Sequence, residues 1–311
     1  MTTETMLSRR RQRLSLRLYR NRYLWLLMLP GILYFLFFRY APMWGLVISF
    51  MDYQPYVGLL KSTWVGFENL ERFLTTSAFP NMFRNTLAFA GLSLVLYFPA
   101  PIIMALLLNE VRHAKYKRAV QSLIYMPHFI SWVVVVSFVQ QFFSIDNGLI
   151  TRLILNMTGQ KVNFLMSAQW FRPLIILEQI WKEAGWGTIL FLAALSQVDA
   201  QLYEAARIDG ANRWQQLLVV TMPAVKATII TLFILRLGTF LDTGFEQIFL
   251  QLNAMNRSVG EVFDTYVYKV GIQQGDYSYA TTVGMFKSVF GLFLIMAANT
   301  VIKRLGEEGL Y

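Results

Sequence analysis

The chain contains no cysteine and only two histidines, His113 and His128. Disulfides and thiolate metal centres are excluded, and most histidine-based metal sites with them. Charge is also scarce. Only 15% of the 311 residues are Asp, Glu, Lys or Arg, against about a quarter in soluble domains. No separate soluble domain and no low-complexity linker can be marked off. Instead the chain is apolar: 56% of it is hydrophobic and its mean hydropathy is positive. Length alone would allow about two soluble domains. Apolar runs of about 20 residues recur, however, and one such run as a helix crosses about 30 Å of hydrocarbon. In that solvent only helices and closed barrels satisfy their backbone groups, and runs of this length favour helices.

The net charge of +10 could suggest nucleic acid, but its placement points to a membrane. Arg9, Arg10, Arg11, Arg13, Arg17, Arg20 and Arg22 cluster just before the first apolar run, and Arg112, Lys115, Lys117 and Arg118 lie between the second and third. This alternation follows the positive-inside rule. Residues 1–22 thus read as a basic cytoplasmic segment, able to touch anionic headgroups, followed by a transmembrane domain over 23–311. The first apolar run is too long for a cleaved signal peptide, and no small-residue cleavage site follows it.

Hydropathy predicts about six spans. The first covers 23–50, interrupted by Arg39 and Pro42. The second covers 85–108, kinked at Phe98-Pro99-Ala100-Pro101 because a proline lacks a donor and clashes one turn back. The third covers 119–143. The fourth covers 170–195, with Pro173 in its first turn. The fifth runs from after Pro223 to near Leu250, and the sixth covers 281–302, closed by Lys303 and Arg304. Outer segments are predicted at 51–83, 144–169 and 251–279, the second with turns at Asp146-Asn147-Gly148 and Thr158-Gly159. Both termini are then cytoplasmic.

Between the fourth and fifth spans lies a polar loop, 199–223. Asp199 to Ile208 is rich in helix formers, and Ala205 and Ala206 offer a small, smooth surface. Asp209-Gly210 signals a turn, with Gly supplying a left-handed conformation at little cost. Residues 211–220 can form a second short helix before Pro223 restarts the chain. Within the loop, Glu204-Ala205-Ala206, three residues, Gly210, nine residues, Val220, a spacer, Met222 and Pro223 resemble the "EAA" loop of permease subunits in binding-protein-dependent ABC importers. Val220 and Met222 stand where that family usually has Ile and Leu. The resemblance implies a coupling helix seated in a cleft of an ATPase, with Glu204 making the polar contact. Ala205 and Ala206 would pack closely, Asp209 and Gly210 would form the turn, and Pro223 would close the motif. A bare amphipathic loop resting on headgroups does not account for spacing that matches over the whole stretch.

The resemblance covers nearly the whole chain. Leu29-Pro30-Gly31, Tyr40-Ala41-Pro42-Met43-Trp44-Gly45, Met51-Asp52-Tyr53, Trp64-Val65-Gly66-Phe67-Glu68-Asn69 and Arg84-Asn85-Thr86 are similar to carbohydrate-importer permeases. Residues 125–132, Tyr-Met-Pro-His-Phe-Ile-Ser-Trp, and 180–187, Ile-Trp-Lys-Glu-Ala-Gly-Trp-Gly, resemble the polysaccharide and complex-oligosaccharide branch, common in Gram-positive bacteria. That implies an all-α integral membrane protein of the bacterial plasma membrane, a non-catalytic subunit with a type I importer permease fold. Its implied partners are a second, homologous permease, two ATPase subunits, a lipid-anchored extracellular sugar-binding protein, an oligosaccharide and membrane lipid. No nucleic acid and no cofactor of its own are implied. The chain has no G-x-x-x-x-G-K-[ST] phosphate loop, so ATP and Mg²⁺ belong to the ATPase.

Ionisable groups inside spans are costly and mark candidate sites. The fourth span carries Glu178, Lys182 and Glu183; the first two are four apart and predicted to pair on one face. The fifth carries Arg236, Asp242 and Glu246, the last two predicted to share a face. Sugars need planar polar groups and aromatic faces, so Gln179, Trp181, Trp186, Asp242, Phe245 and Glu246 are the candidate substrate path. The structural alternative is that these groups hold the bundle together. Gly185, Gly187 and Gly244 permit either close helix contact or local unwinding. His128 reads as a helix-end histidine. An ion-coupled secondary transporter is the alternative function, but it calls for internal repeats, which are not evident, and leaves 204–223 unexplained. A membrane enzyme would need clustered acids or histidines at a membrane face, and none appear.

Overall fold

The computed structural model describes residues 20–306 and Gly309. Arg9, Arg10, Arg11, Arg13 and Arg17 lie outside the described residues, whereas Arg20 and Arg22 are exposed. The chain runs through α1 (Arg22–Phe50), a short antiparallel pair β1 (Met51–Asp52) and β2 (Thr63–Trp64), α2 (Glu68–Thr75), α3 (Phe79–Glu110), α4 (Ala114–Phe129), α5 (Trp132–Phe143) and α6 (Leu149–Thr158). It continues with α7 (Ala168–Leu195), α8 (Ala200–Ile208), α9 (Arg213–Gly238), α10 (Phe245–Gln251), α11 (Arg257–Gly260), α12 (Phe263–Val267) and α13 (Tyr277–Arg304).

A long helix stands at each predicted span. Among the described residues four are long and apolar enough to cross a membrane, α1, α3, α9 and α13. A fifth arises if α4 and α5, bent by 98°, are one span. The remaining one, α7, is long enough but carries Arg172, Glu178, Lys182 and Glu183. No residue in the first part of α1 is buried, an apolar face far larger than soluble monomers expose. The predicted outer segments contain unpredicted helices: α6 sits between the two turn signals of 144–169 and ends at left-handed Gly159, and α11 and α12 fall within 251–279.

Prolines shape the long helices. α1, α3 and α9 each contain a π turn, at Leu36–Tyr40, Ser93–Tyr97 and Leu217–Thr221. Each turn ends two residues before a proline: Pro42, Pro99 and Pro223. A proline cannot donate to the carbonyl four residues back, and its ring collides with it. Those carbonyls belong to Phe38, Val95 and Val219, each inside a π turn. Widening the turn relieves the collision, and Phe98 N–H instead bonds Ser93 O at 2.9 Å, five residues back. The helices therefore bend without stopping.

Four expectations are corrected. There is no second short helix over 211–220 that Pro223 restarts, because α9 is continuous from Arg213 to Gly238. The fifth span also stops twelve residues before Leu250, at Gly238; 239–244 is non-helical, with Gly244 at φ +84°, before α10 begins. The predicted third span is likewise two helices. Met126–Phe129 is a 3-10 turn around Pro127, Ile130 is extended, and Ser131 caps α5 by accepting from Val134 N–H. Pro173 lies inside α7 rather than in its first turn.

Helix α7 is the pillar of the fold. Its buried face packs in two of three core clusters: Phe171 and Ile175 with Phe89, Ile248 and Val262, and Phe191 and Leu195 with Ala105 and Val225. The third cluster joins Phe73, Met82, Phe263, Tyr279 and Val283 around α13. The approach of α4 to α7 is so close that a Cβ on Gly185 would run into the Ile124 carbonyl, and one on Gly187 would lie 3.0 Å from Pro101. Close contact is thus the role of those two glycines, and unwinding that of Gly244.

Substituting Gly185→Ala should destabilise the protein by roughly 1–3 kcal/mol through overpacking against backbone. Gly91→Ala, in α3 with no atom within 4 Å of the added methyl, should be neutral or stabilising. Thermal unfolding of the detergent-solubilised protein reads both, and equal midpoints for the two variants would contradict the packing account.

Candidate functional site

The 199–223 loop forms a sharp corner. Asp199 caps α8 by accepting from Gln201 N–H at 2.9 Å. At the far end Asp209 N–H bonds Ala205 O at 3.0 Å, and Ala211 N–H bonds Ala206 O at 2.8 Å. Gly210 closes this turn at φ +79°, the left-handed cap that favours glycine. Asn212 and Gln215 then exchange capping bonds of 2.9 and 2.8 Å to start α9. The corner is held from inside by Tyr203 Oη and Thr221 Oγ1, 3.0 Å apart. Arg213 reaches Glu110, at the end of α3, at 2.7 Å.

The other side of the corner is open. Glu204, Ala205, Asp209, Gly210 and Pro223 are exposed, and Ala206 is half-buried. Ile208 is 87% exposed, which makes α8 a short helix with carboxylate, methyl and aliphatic groups turned outward.

The candidate path residues do not come together. Gln179 and Trp181, two positions apart on regular α7, point about 160° apart. Trp181 is exposed on the side away from Gln179, and Trp186 is exposed as well. Asp242 and Glu246 share no helix face, because Asp242 lies in the 239–244 break and Glu246 in α10. Asp242 instead accepts from Lys287 of α13 at 2.7 Å. Lys287 also pairs with Asp264 of α12, which accepts from Thr243 N–H. The break is thereby fastened to two other helices. Phe245 stacks on Phe249 at 5.1 Å and lies 5.2 Å from Tyr268, while Glu246 is exposed.

The predicted Glu178–Lys182 pair also does not form; each takes partners on another element. The buried Glu178 accepts through Oε2 from Gln247 and Gln251 of α10, at 2.8 and 2.7 Å. Lys182 donates to His128 O at 2.9 Å and to Glu183 at 2.8 Å. Glu183 lies 2.6 Å from His128 Nδ1, and the His128 ring stacks on Trp186 with centroids 4.5 Å apart. Trp132 sits under the Lys182 ammonium at 5.2 Å. The two motifs at 125–132 and 180–187 are therefore one structural unit, a polar and aromatic lock across the α4–α5 bend. Sequence reasoning did not find Lys287, although a lone cation in an apolar helix is a signal in itself. Nor did it find Arg172, which donates to Asn85 at 2.7 Å and to Val259 O at 3.2 Å; only the fold brings those three together.

Comparison with known proteins follows this geometry. Residues 97–307 match the family model described as binding-protein-dependent transport system inner membrane component. Protein LplB of Bacillus subtilis (strain 168) is 55% identical over 94% of this chain and 92% of its own. The polygalacturonan/rhamnogalacturonan transport system permease protein YteP of the same organism is 53% identical over 97% of this chain and 94% of its own. A chain of the bacterial alginate ABC transporter, solved in complex with alginate pentasaccharide-bound periplasmic protein, superposes with a TM-score of 0.86 at 37% identity. That match covers 96% of this chain and all of the other.

The Lys287 cluster assigns the main structural pairing to the more buried of its two carboxylates. Asp264 is 21% exposed and Asp242 61%. Asp264→Asn should therefore cost about 2–3 kcal/mol, toward the lower end for breaking a buried pair. Asp242→Asn should cost less than about 1 kcal/mol, as exposed pairs do. Thermal shift assays on the two purified variants decide, and a larger loss for Asp242→Asn would overturn the assignment.

Proposed function

Since this chain belongs to the binding-protein-dependent transport system inner membrane component family, we propose that it works as the permease subunit of an ABC importer for oligosaccharides, driven through the 199–223 corner. It is a membrane-spanning transport subunit, and its relatives favour this reading over an ion-coupled secondary transporter. The observation that carries the coupling assignment is the geometry of α8: exposed on the face bearing Glu204, Ala205 and Ile208, and fastened on the other to α9, which is itself paired with α3.

The assembly that fits is a heterodimer with a second, homologous permease, two ATPase subunits holding ATP and Mg²⁺, and a lipid-anchored extracellular binding protein. The chain itself binds no cofactor. Residues 23–311 form the permease domain in the plasma membrane, with residues 1–22 and both termini on the cytoplasmic side, the side of the corner. Closure of the ATPases pushes α8. Because α8 is locked to α9 by the Gly210 turn and the Tyr203–Thr221 bond, the push becomes a rigid-body movement of α9. The exchange of outward and inward access follows from two such arrangements biased by ATP. Oligosaccharide is the substrate class that suits the relatives, two of which carry polyuronides by name: polygalacturonan/rhamnogalacturonan for YteP and alginate for the solved transporter.

Two measurements test this. The first is purification of the chain from its native membrane, followed by an ATPase assay with binding protein and a panel of oligogalacturonides, alginate pentasaccharide and arabino-oligosaccharides. A second permease and an ATPase in the eluate, with hydrolysis stimulated by one sugar class, is the expected result. A chain that purifies alone under gentle detergent would favour the secondary transporter. The second is uptake by Gly210→Pro and Glu204→Lys variants. Proline locks φ near −65°, incompatible with +79° at Gly210. Both variants should insert normally and lose transport, and normal uptake by both would remove the coupling role.

A further inference from the structure

We propose that the corner where α3, α8 and α9 meet binds one anionic phospholipid, with its phosphodiester among arginines and an acyl chain in the groove beside them. Two cavities adjoin there. One, of about 530 Å³, is lined by Arg112, Arg207 and Arg213 together with Asn109, Asn212 and Gln216. The other, of about 390 Å³, is lined by Ile103, Leu106, Leu107 and Trp214. They share Glu110, Arg213 and Leu217, so a single amphiphilic molecule can occupy both.

The chemistry of the two halves differs as the two ends of a lipid differ. Three arginines face one carboxylate in the polar cavity, and that carboxylate already engages Arg213. Arg112 and Arg207 are exposed, and guanidinium forks suit phosphate oxygens. A soluble anion would fill only this half, and an uncharged alkyl chain only the other. The groove lies along the last turns of α3 before the basic loop, and Trp214 stands at its rim, where indole rings favour the membrane–water boundary. Basic pockets between helices at this level suit anionic headgroups. The inference rests on the membrane placement proposed above but not on sugar transport or on the ATPase.

The test is native mass spectrometry of the purified protein, with whatever subunits accompany it, after exchange into nanodiscs of phosphatidylglycerol and phosphatidylcholine. Wild type should release carrying phosphatidylglycerol in preference. The Arg112→Gln/Arg207→Gln double variant should lose about 30-fold of that preference, at about fivefold per arginine. Lys115→Gln/Arg118→Gln, on exposed positions at the start of α4 and outside the cavity, should keep it. Leu107→Trp, which fills the groove at a 64% exposed position without touching charge, should also lose retained lipid. Equal loss in both double variants would mean diffuse surface charge and overturn the site. Full retention by Leu107→Trp would reduce it to a pocket for soluble anions and overturn the lipid. A chain that purifies without an ATPase yet retains lipid in this pattern would leave the site standing while the coupling reading falls.

Discussion

Every polar side chain carried into hydrocarbon must be answered by another segment, and this fold is arranged around those answers. Helix α7 bears four ionisable residues, too many for a helix that faces lipid alone. Arg172 is answered by Asn85 and by a carbonyl of α11, Glu178 by two glutamines of α10, and Lys182 and Glu183 by the α4–α5 bend. Each answer ties α7 to a different element. The charges that make α7 the least membrane-like of the long helices therefore make it the one around which the others are fixed.

The backbone obeys the same constraint. Pro42, Pro99 and Pro223 sit within long helices, and each is preceded by a π turn that keeps carbonyls bonded. Where α9 does stop, at 239–244, the loosened segment is closed by Lys287 with Asp242 and Asp264. Irregular backbone at membrane depth is tolerated when protein surrounds it. Here the covering groups are charged, so the break is held in one arrangement at a definite cost to disturb.

What could be read from the sequence follows from the range of each signal. Hydropathy located the long helices, with the bent α4–α5 pair read as one span, because burial in lipid leaves its mark on about 20 consecutive residues. The corner at Gly210 was legible because a left-handed turn is a local demand on one residue. The failures were of two kinds. Glu178 and Lys182 have the right spacing to pair, yet both found better partners on other elements, which helical periodicity cannot anticipate. Asp242 and Glu246 were given a shared face on the assumption that the helix continued to Leu250. The helix ends at Gly238 and the chain turns again at Gly244, and a glycine inside an apolar run signals equally well close packing or a stop. Proline errs in the opposite sense: Pro223 signals a restart, but a π turn lets the helix pass through it.

That last correction bears on how movement can travel. Had α9 begun at Pro223, the 199–223 loop would be joined to the bundle by a hinge, and displacement of α8 would be lost in it. Because α9 begins at Arg213, the corner and the bundle share one helix, braced at its start by the Arg213–Glu110 pair. At its other end Gly238 and α13 meet backbone to backbone, since a Cβ on Gly291 would fall 2.5 Å from the Gly238 carbonyl. Such small-residue contacts fix two helices closely, and immediately beyond lies the charged clasp of Lys287. If α8 is displaced as proposed, the movement has a continuous route along α9 to a break that is closed by ion pairs. Ion pairs can exchange between two arrangements without unpacking a hydrophobic core. The π turn at Leu217–Thr221 lies on that route and keeps the helix continuous through Pro223.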